Sequence, residues 1–441
     1  MKTDNNMKRI MTIIAVVAMS VAIARAEDEF VSQMECIDGI WYETFMPSKE
    51  FFPLNTAGRR YKCNAVLSVA EDAVFARVCH NKDEKLVRHT GNITIPSHVT
   101  IGGKEYEVVA IGPYGLAPLG EGAKVSLPST IKIICESGLY AYRVTIGDYF
   151  DGNYYYENAY VKLPESLVAV EQFSLNGVLL DDDLYLPNIS LIDYWAMVGA
   201  KTKKMTLGSR LTGLRDYSLP TVSEKLVFEE GDAGELFWDG WNEPFIATEA
   251  ICLSEFKELV LPKREKLTLA DYAISHCENL ERLVFPDTPE ICYSGCLSFN
   301  GAIGFMPYYG YFIEDCPNLS EVVCLGAKPP HINITVDFSE DRGYEGTSGE
   351  FEFMDNIDDC VLKVPAGSEE LYRADPVWGK FKTIYGFENG DYTSIIMPEV
   401  AASENEAVPV YHNLQGMRVE HPVRGQFYIR TVGSSTDKVV Y

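Results

Sequence analysis

No two cysteines in this chain are spaced as CxxC, and HExxH, GxSxG, a Walker P-loop, a Rossmann glycine fingerprint and an EF-hand loop are all missing. These absences remove the short motifs that mark zinc ribbons, metalloproteases, serine hydrolases, nucleotide enzymes and calcium switches. An enzyme built from scattered residues is not excluded by them, but no cofactor is expected. Basic residues are scarce, with 38 Lys+Arg against 64 Asp+Glu and a net charge of −26. Such a chain repels phosphate backbones, which argues against nucleic acid as a partner. Past the N-terminus no apolar run reaches membrane-spanning length. The eleven cysteines are odd in number and sparse over 441 residues, unlike a disulfide scaffold. Cys292 and Cys296 lie near each other without a second ligand cluster, so no metal site is expected. Hydrophobic content of 46% excludes a disordered chain.

The N-terminus carries Lys2, Lys8 and Arg9, an apolar run from Ile10 to Ile23, and Ala24-Arg25-Ala26 before Glu27. This is the pattern of a secretory signal peptide cut after Ala26, and no cysteine follows to take a lipid. The expectation is an exported protein at the cell surface, in the medium or in the periplasm.

The chain then repeats itself. NITIP, KVSLP, YVKLP, DLYLP, KMTLG, KLVFE, ELVLP, RLVFP, EVVCL and VLKVP share two apolar residues two apart, and successive segments lie 21 to 40 residues from one another. In a strand those two side chains point the same way. Strands this short fold only when stacked, and the shorter periods are those of leucine-rich repeats. The segments between them, such as ESLVAVEQFSLNG, suit tight returns better than amphipathic helices. At the far end KVPAGSEELYRADPVWGKFKTIYGF predicts a closing cap: Ser368 N-caps a short helix, Pro376 stops it, and Val377, Trp378 and Phe381 cover the open core. Before the array, DGIWYETF and DAVFARVC alternate as antiparallel strands of an N-terminal β cap.

IPSHVTIGGKEYEVVAIGPYGL, LPSTIKIICESGLYAY, LPESLVAVEQFSLNG and AISHCENLERLVFP resemble the leucine-rich repeats of the BspA type, found on exported proteins of Bacteroides-like bacteria. The resemblance spans about residues 92 to 388, is weaker through GELFWDGWNEPF and around HINITVDFSEDRGYEGTSGE, and departs at Tyr114-Gly115, where the family prefers Ala-Phe. It implies adhesion to host proteins or to other bacteria. The fold class is therefore a β-rich leucine-rich-repeat solenoid of short parallel strands and irregular returns. The expected organisation is a signal peptide over 1–26, an N-terminal β cap over 27–91, the repeat array over 92–365, a helical closing cap over 366–390, a linker over 391–407 and a β-rich C-terminal tail over 408–441. The tail resembles β-rich tails that serve some exported proteins of such bacteria as sorting signals.

If the paired apolar residues face inward, the residue between them faces outward. That row includes Tyr185, Val227, Val260, Val284 and Val323, four valines in succession on a face meant for solvent. One step earlier lies Tyr160 in a row of charges, where Asp183 is expected to pair with Lys204, and Glu258 with Lys225 and Arg282. A valine stripe beside a charge ladder suits a protein partner; valine's strand propensity and cover from a nearby loop are the simpler explanation and need no partner. The insertion GDYFDGNYYYENAY adds Tyr154 and Tyr155 as aromatic anchors for protein or carbohydrate. The rival class is an envelope enzyme using His276-Cys277 as a thiol activated by imidazole, and a third is a purely structural envelope component. Adjacent residues on an extended chain point apart, however, and Cys277 shares its phase with Cys316, which reads as packing. The acidic run Asp181-Asp182-Asp183 reads as a solvated turn before a cation site.

Overall fold

The computed structural model describes residues 30–50, 67–143, 155–231, 245–294, 311–335 and 353–388, and beyond them the strands Val410–His412, Arg418–Val419, Phe427–Val432 and Ser435–Val440. Each of the ten apolar alternations is a strand, from Asn92–Thr94 to Val361–Pro365. They stack in parallel and in register, so that Ile93, Val125 and Val161 are neighbours, as are Leu184, Met205 and Leu226, and then Leu259, Leu283, Val322 and Leu362. All but Ile93 are buried. Burying each such side chain contributes roughly 1.5–3 kcal/mol, but only because the rung above and the rung below close over it.

These strands form one of three parallel faces, here called sheet two. Sheet one runs from Phe75–Cys79 through Lys104–Ile111, Ile133–Ile134, Ala169–Val170, Leu191–Ile192 and Gly213–Leu214. Bridges from Leu214 to Ile246 and from Ile246 to Leu269 carry it on to Lys266–Ala270, Glu290–Ser294 and His331–Thr335. Sheet three is narrower, formed by Ile251–Cys252, Ile274–Ser275 and Ile313–Glu314, while bridges joining Tyr160, Leu179 and Lys201 mark the entry into sheet two. The chain visits sheets one, three and two in turn, and their inward side chains meet in one continuous core. The β-rich leucine-rich-repeat solenoid is the fold observed.

The corner between sheets one and three repeats at fixed phase. Three residues past the inward residue of sheet one, the backbone is left-handed: Tyr114 after Ile111, Ser137 after Ile134, Phe173 after Val170, Trp195 after Ile192, Tyr217 after Leu214, Glu249 after Ile246 and Tyr272 after Leu269, with φ from 51 to 56°. Such a φ costs a non-glycine residue on the order of 1–3 kcal/mol. Hydrogen bonds between rungs offset it: the N–H of Trp195 donates to the Asp216 carbonyl at 3.0 Å, that of Tyr217 to Thr248 at 3.3 Å, and that of Glu249 to Tyr272 at 2.9 Å. The next residue is always small, from Gly115 and Gly138 to Ala273. A Cβ on Gly115 would stand 2.9 Å from the Val78 carbonyl oxygen, and one on Gly138 would stand 3.0 Å from that of Cys135.

The N-terminal cap is a hairpin of Met34–Ile37 and Ile40–Phe45 whose second strand pairs antiparallel with Phe75–Cys79, which then runs parallel to Lys104–Ile111. Phe45 and partly buried Phe75 cover the outer side of sheet one, against Val109, Ala110, Ile133, Ala169 and Leu191. At the other end Trp378 and Phe381 are buried and Val377 packs against the core. The helix there is only Glu369–Arg373, and Ser368 does not cap it as the sequence suggested. The Ser368 hydroxyl donates to the Ala327 carbonyl at 2.9 Å instead, and the Glu369 carboxylate reaches back to the Gly367 N–H at 2.7 Å. Tertiary contact with the last return wins over the local cap.

Contact clustering separates a second unit, residues 389–441. Its described strands form an antiparallel sheet in the order Arg418–Val419, Val410–His412, Phe427–Val432, Ser435–Val440.

Candidate binding surface

The outward row of sheet two is in register as expected, Tyr185 beside Thr206 and Val227, and Val260 beside Val284, Val323, Lys363 and Tyr385. Its exposure is uneven. Tyr185 is 41% exposed, its hydroxyl donating to Glu229 at 3.0 Å, and Tyr385 is 58% exposed. Val227 and Val260 are half-buried. Val284 and Val323 expose nothing at all, although they face away from the core and take no part in it. The expected four-valine stripe is therefore closed over its second half. Strand alternation sets the direction of a side chain; what covers it is decided elsewhere.

The charge row resolves into one network. Arg282 donates from Nη1 to Glu258 at 2.9 Å and from Nε to Glu321 at 2.5 Å, and Lys363 meets Glu321 at 2.5 Å. Burial raises the Glu321 carboxyl, but the hydrogen bonds from Lys363 and Arg282 outweigh it and hold the group below the usual carboxylate range. The expected pairs around Lys204 and Lys225 do not form. The ladder ends at Thr221–Phe228 and a new one begins at Glu258–Val260, so Lys225 and Glu258 are not register partners. Asp183 and Lys204 are register partners as expected, but Lys204 also has Lys225 on its other side and its ammonium lies 3.8 Å from Glu224 instead. Replacing Arg282 with methionine keeps the aliphatic stem but leaves two carboxylates without their shared partner. With the guanidinium 39% exposed, a loss of about 1 kcal/mol is expected, shrinking in 1 M salt; urea midpoints at low and high salt measure it.

Tyr160 is half-buried and its hydroxyl donates to Asp181, while Asp182 pairs with Lys203 at 2.6 Å. Tyr155 lies in the strand Tyr155–Tyr156, antiparallel to Tyr142–Arg143. Tyr154 lies outside the described residues. His276 and Cys277 are not brought together. The imidazole Nδ1 lies 2.7 Å from Asp315 Oδ2, whereas the buried Cys277 thiol donates to the carbonyls of Ser275 at 3.4 Å and Ile251 at 3.8 Å. An activated thiol needs the base at the sulfur.

A second surface was missed in the sequence. The left-handed corners of three successive rungs bring Phe173, Tyr194, Trp195 and Tyr217 together, with ring centroids 6.0 Å apart for Phe173 and Trp195, 5.8 Å for Tyr194 and Trp195, and 5.0 Å for Trp195 and Tyr217. All four are partly exposed. Glu171 and Asp193 are buried beside this ridge and Asp216 is half-buried. Burial pushes all three carboxyls up, Asp216 to about 6, against opposing hydrogen bonds from the backbone N–H groups of Glu136, Tyr194 and Thr248 respectively. The signal was available as the fixed step of three residues from each inward apolar residue to the corner.

No protein-family model and no curated protein matches the chain. Among solved structures it is similar to a leucine-rich cell surface protein from Faecalibacterium prausnitzii, at 12% identity over 84% of this chain and 98% of that one, TM-score 0.20. It is similar to the pneumococcal vaccine antigen PcpA at 13% identity over 81% of this chain and 100% of that one, TM-score 0.22. A leucine-rich repeat protein from Bacteroides ovatus matches at 12% identity over 82% and 99%, TM-score 0.17. At these scores the likenesses carry no inference about what this chain binds.

Proposed function

We propose that this is an exported recognition protein of the BspA-like kind, which binds another protein at the cell surface through the outer face of sheet two. The observation that carries the reading is the outward row itself: Tyr185, Val227, Val260 and Tyr385 leave apolar and aromatic surface on the outer side of sheet two, along with the network of Glu258, Arg282, Glu321 and Lys363. Within each ladder of this face the strands pair with one another, so a partner would meet mainly side chains held on ordered strands, and less entropy is lost in docking. Aromatic anchors with a charged rim are the composition of protein interfaces. Adhesion to host or bacterial surface proteins is the role we assign. Carbohydrate is the second ligand class, favoured by the ring faces of Trp195 and Tyr217.

The test is a pull-down with the full chain against host matrix and bacterial surface extracts, followed by the double substitution Val227→Asp and Val260→Asp. A reproducible protein partner bound at least ten-fold more weakly by the variant, with an unchanged circular dichroism spectrum, is the expected result. Equal binding by the variant removes this face from the reading. No partner in any extract favours a structural component, and turnover of a substrate an envelope enzyme.

A further inference from the structure

Cys277 and Cys316 hold the same place in successive rungs. Each lies three residues past an inward isoleucine of sheet three, Ile274 and Ile313, and those isoleucines are partners in the parallel ladder. Each directly follows a left-handed residue, His276 with φ 51° and Asp315 with φ 50°. In the preceding rung Ser254 holds the place after Leu253, with φ 53°. Because the backbone path repeats, the two side chains leave equivalent points on neighbouring rungs, which in a parallel ladder lie about 4.8 Å apart. That separation is within the Cα range a disulfide spans. The two residues are 0% and 1% exposed, and each thiol shifts the titration of the other. Buried free thiols are ordinary packing elements; two at equivalent places on neighbouring rungs are also placed for a cross-link.

We propose that Cys277 and Cys316 form a dithiol that closes into a cross-rung disulfide by exchange with a small disulfide oxidant, pinning two rungs of the solenoid together. The Cys316 sulfur attacks one sulfur of the oxidant, forming a mixed disulfide and releasing the first thiolate. The Cys277 sulfur then attacks the Cys316 sulfur and releases the second. The two cysteines lose two electrons and two protons, and the oxidant becomes two thiols. The balance is the same if Cys277 attacks first. The sulfurs sit under the exposed corner residues His276 and Asp315, so oxidant enters when the corner opens locally. Exposed Cys36 reacts without such an opening.

The folded full chain is incubated in oxidised and reduced glutathione, quenched by alkylation, digested and weighed. The expected result is a linked peptide pair containing Cys277 and Cys316, lighter by two hydrogens than the separate peptides, with a thermal midpoint raised by about 5 °C and both effects reversed by reductant. Cys277→Ser, which places serine where Ser254 already stands one rung earlier, is expected to leave Cys316 alkylatable. Persistence of both thiols after full oxidation, or their pairing with other cysteines, overturns the proposal. The mass of the wild-type chain decides this even if the variant fails to fold.

Discussion

Replacing Trp378 with alanine is expected to cost roughly 3–5 kcal/mol and to open the far end of the solenoid before the rest. A stack of rungs has no neighbour beyond its last one, so the final apolar layer needs a plug. Trp378 is that plug. Its ring is fully buried, with centroids 4.9 Å from Phe353, 5.6 Å from Phe285 and 6.1 Å from Tyr372, and it lies parallel to Phe381. Its indole N–H donates to the Pro330 carbonyl at 3.0 Å. Alanine would leave a large cavity and an unpaired carbonyl together, and each is destabilising alone. Hydrogen exchange should lose protection in Val361–Pro365 and Thr383–Phe387 first, with Lys124–Ser126 retaining it. Tyr385→Ala, on the exposed side of the same cap, is expected to stay within 0.5 kcal/mol. If the two substitutions cost the same in urea, the cap is not held by its aromatic cluster.

The buried carboxyls beside the corner ridge are also expected to make the protein more stable at pH 5 than at pH 8, against the opposite effect of His89, whose imidazole is held low by burial. Glu171, 2% exposed, and Asp193 and Asp216 all have carboxyls raised in the folded chain, chiefly by burial. A carboxyl raised on folding holds its proton more tightly when folded. Its contribution is therefore complete below the ordinary carboxylate value and is lost as pH rises through the folded one. Asp216 loses its share between about pH 4 and pH 6, and Glu171 and Asp193 also above the usual carboxylate range. Around Glu171 the charges of Asp193 and Glu136 push in the same direction and Arg77 opposes them, while Arg215 opposes the shift at Asp193 and Asp216. Glu321, held low, has the opposite sign, but its effect falls below the ordinary carboxylate range and leaves this window untouched. Glu171→Gln keeps an oxygen to accept the Glu136 N–H, which now lies 2.7 Å from the carboxylate. It should raise the urea midpoint at pH 8 and flatten the profile. A wild-type midpoint that does not change between the two pH values would sink this account.

The ladder was legible because its signal is local and repeated. Pairs such as Leu283 and Phe285 each state a direction at period two, and ten copies state it ten times. The closing cap was legible in Trp378 and Phe381 for a related reason, since large aromatics next to a helix stop have few places to go. The Ser368 cap was not, because the choice between the helix N-terminus and the Ala327 carbonyl is made by a segment some forty residues away. Nor was the break between Phe228 and Glu258, which separated Lys225 from the charge row. The corner ridge was readable in principle, since Phe173, Trp195 and Tyr217 share one phase, but the phase appears only once the inward residue of sheet one is taken as the origin.

For this protein the sequence alone determined the repeat, the parallel register of sheet two and which residues point inward, because side-chain direction along a strand follows from backbone geometry. It also placed Cys277 and Cys316 in one phase. Only the tertiary structure decided that Val284 and Val323 are covered while Tyr185 stays open, that Arg282 joins Glu258 to Glu321, and that the rungs carrying the two thiols are neighbours. Cover, pairing and contact depend on which rungs become neighbours and on what lies over them, and periodicity within a single strand carries no record of either.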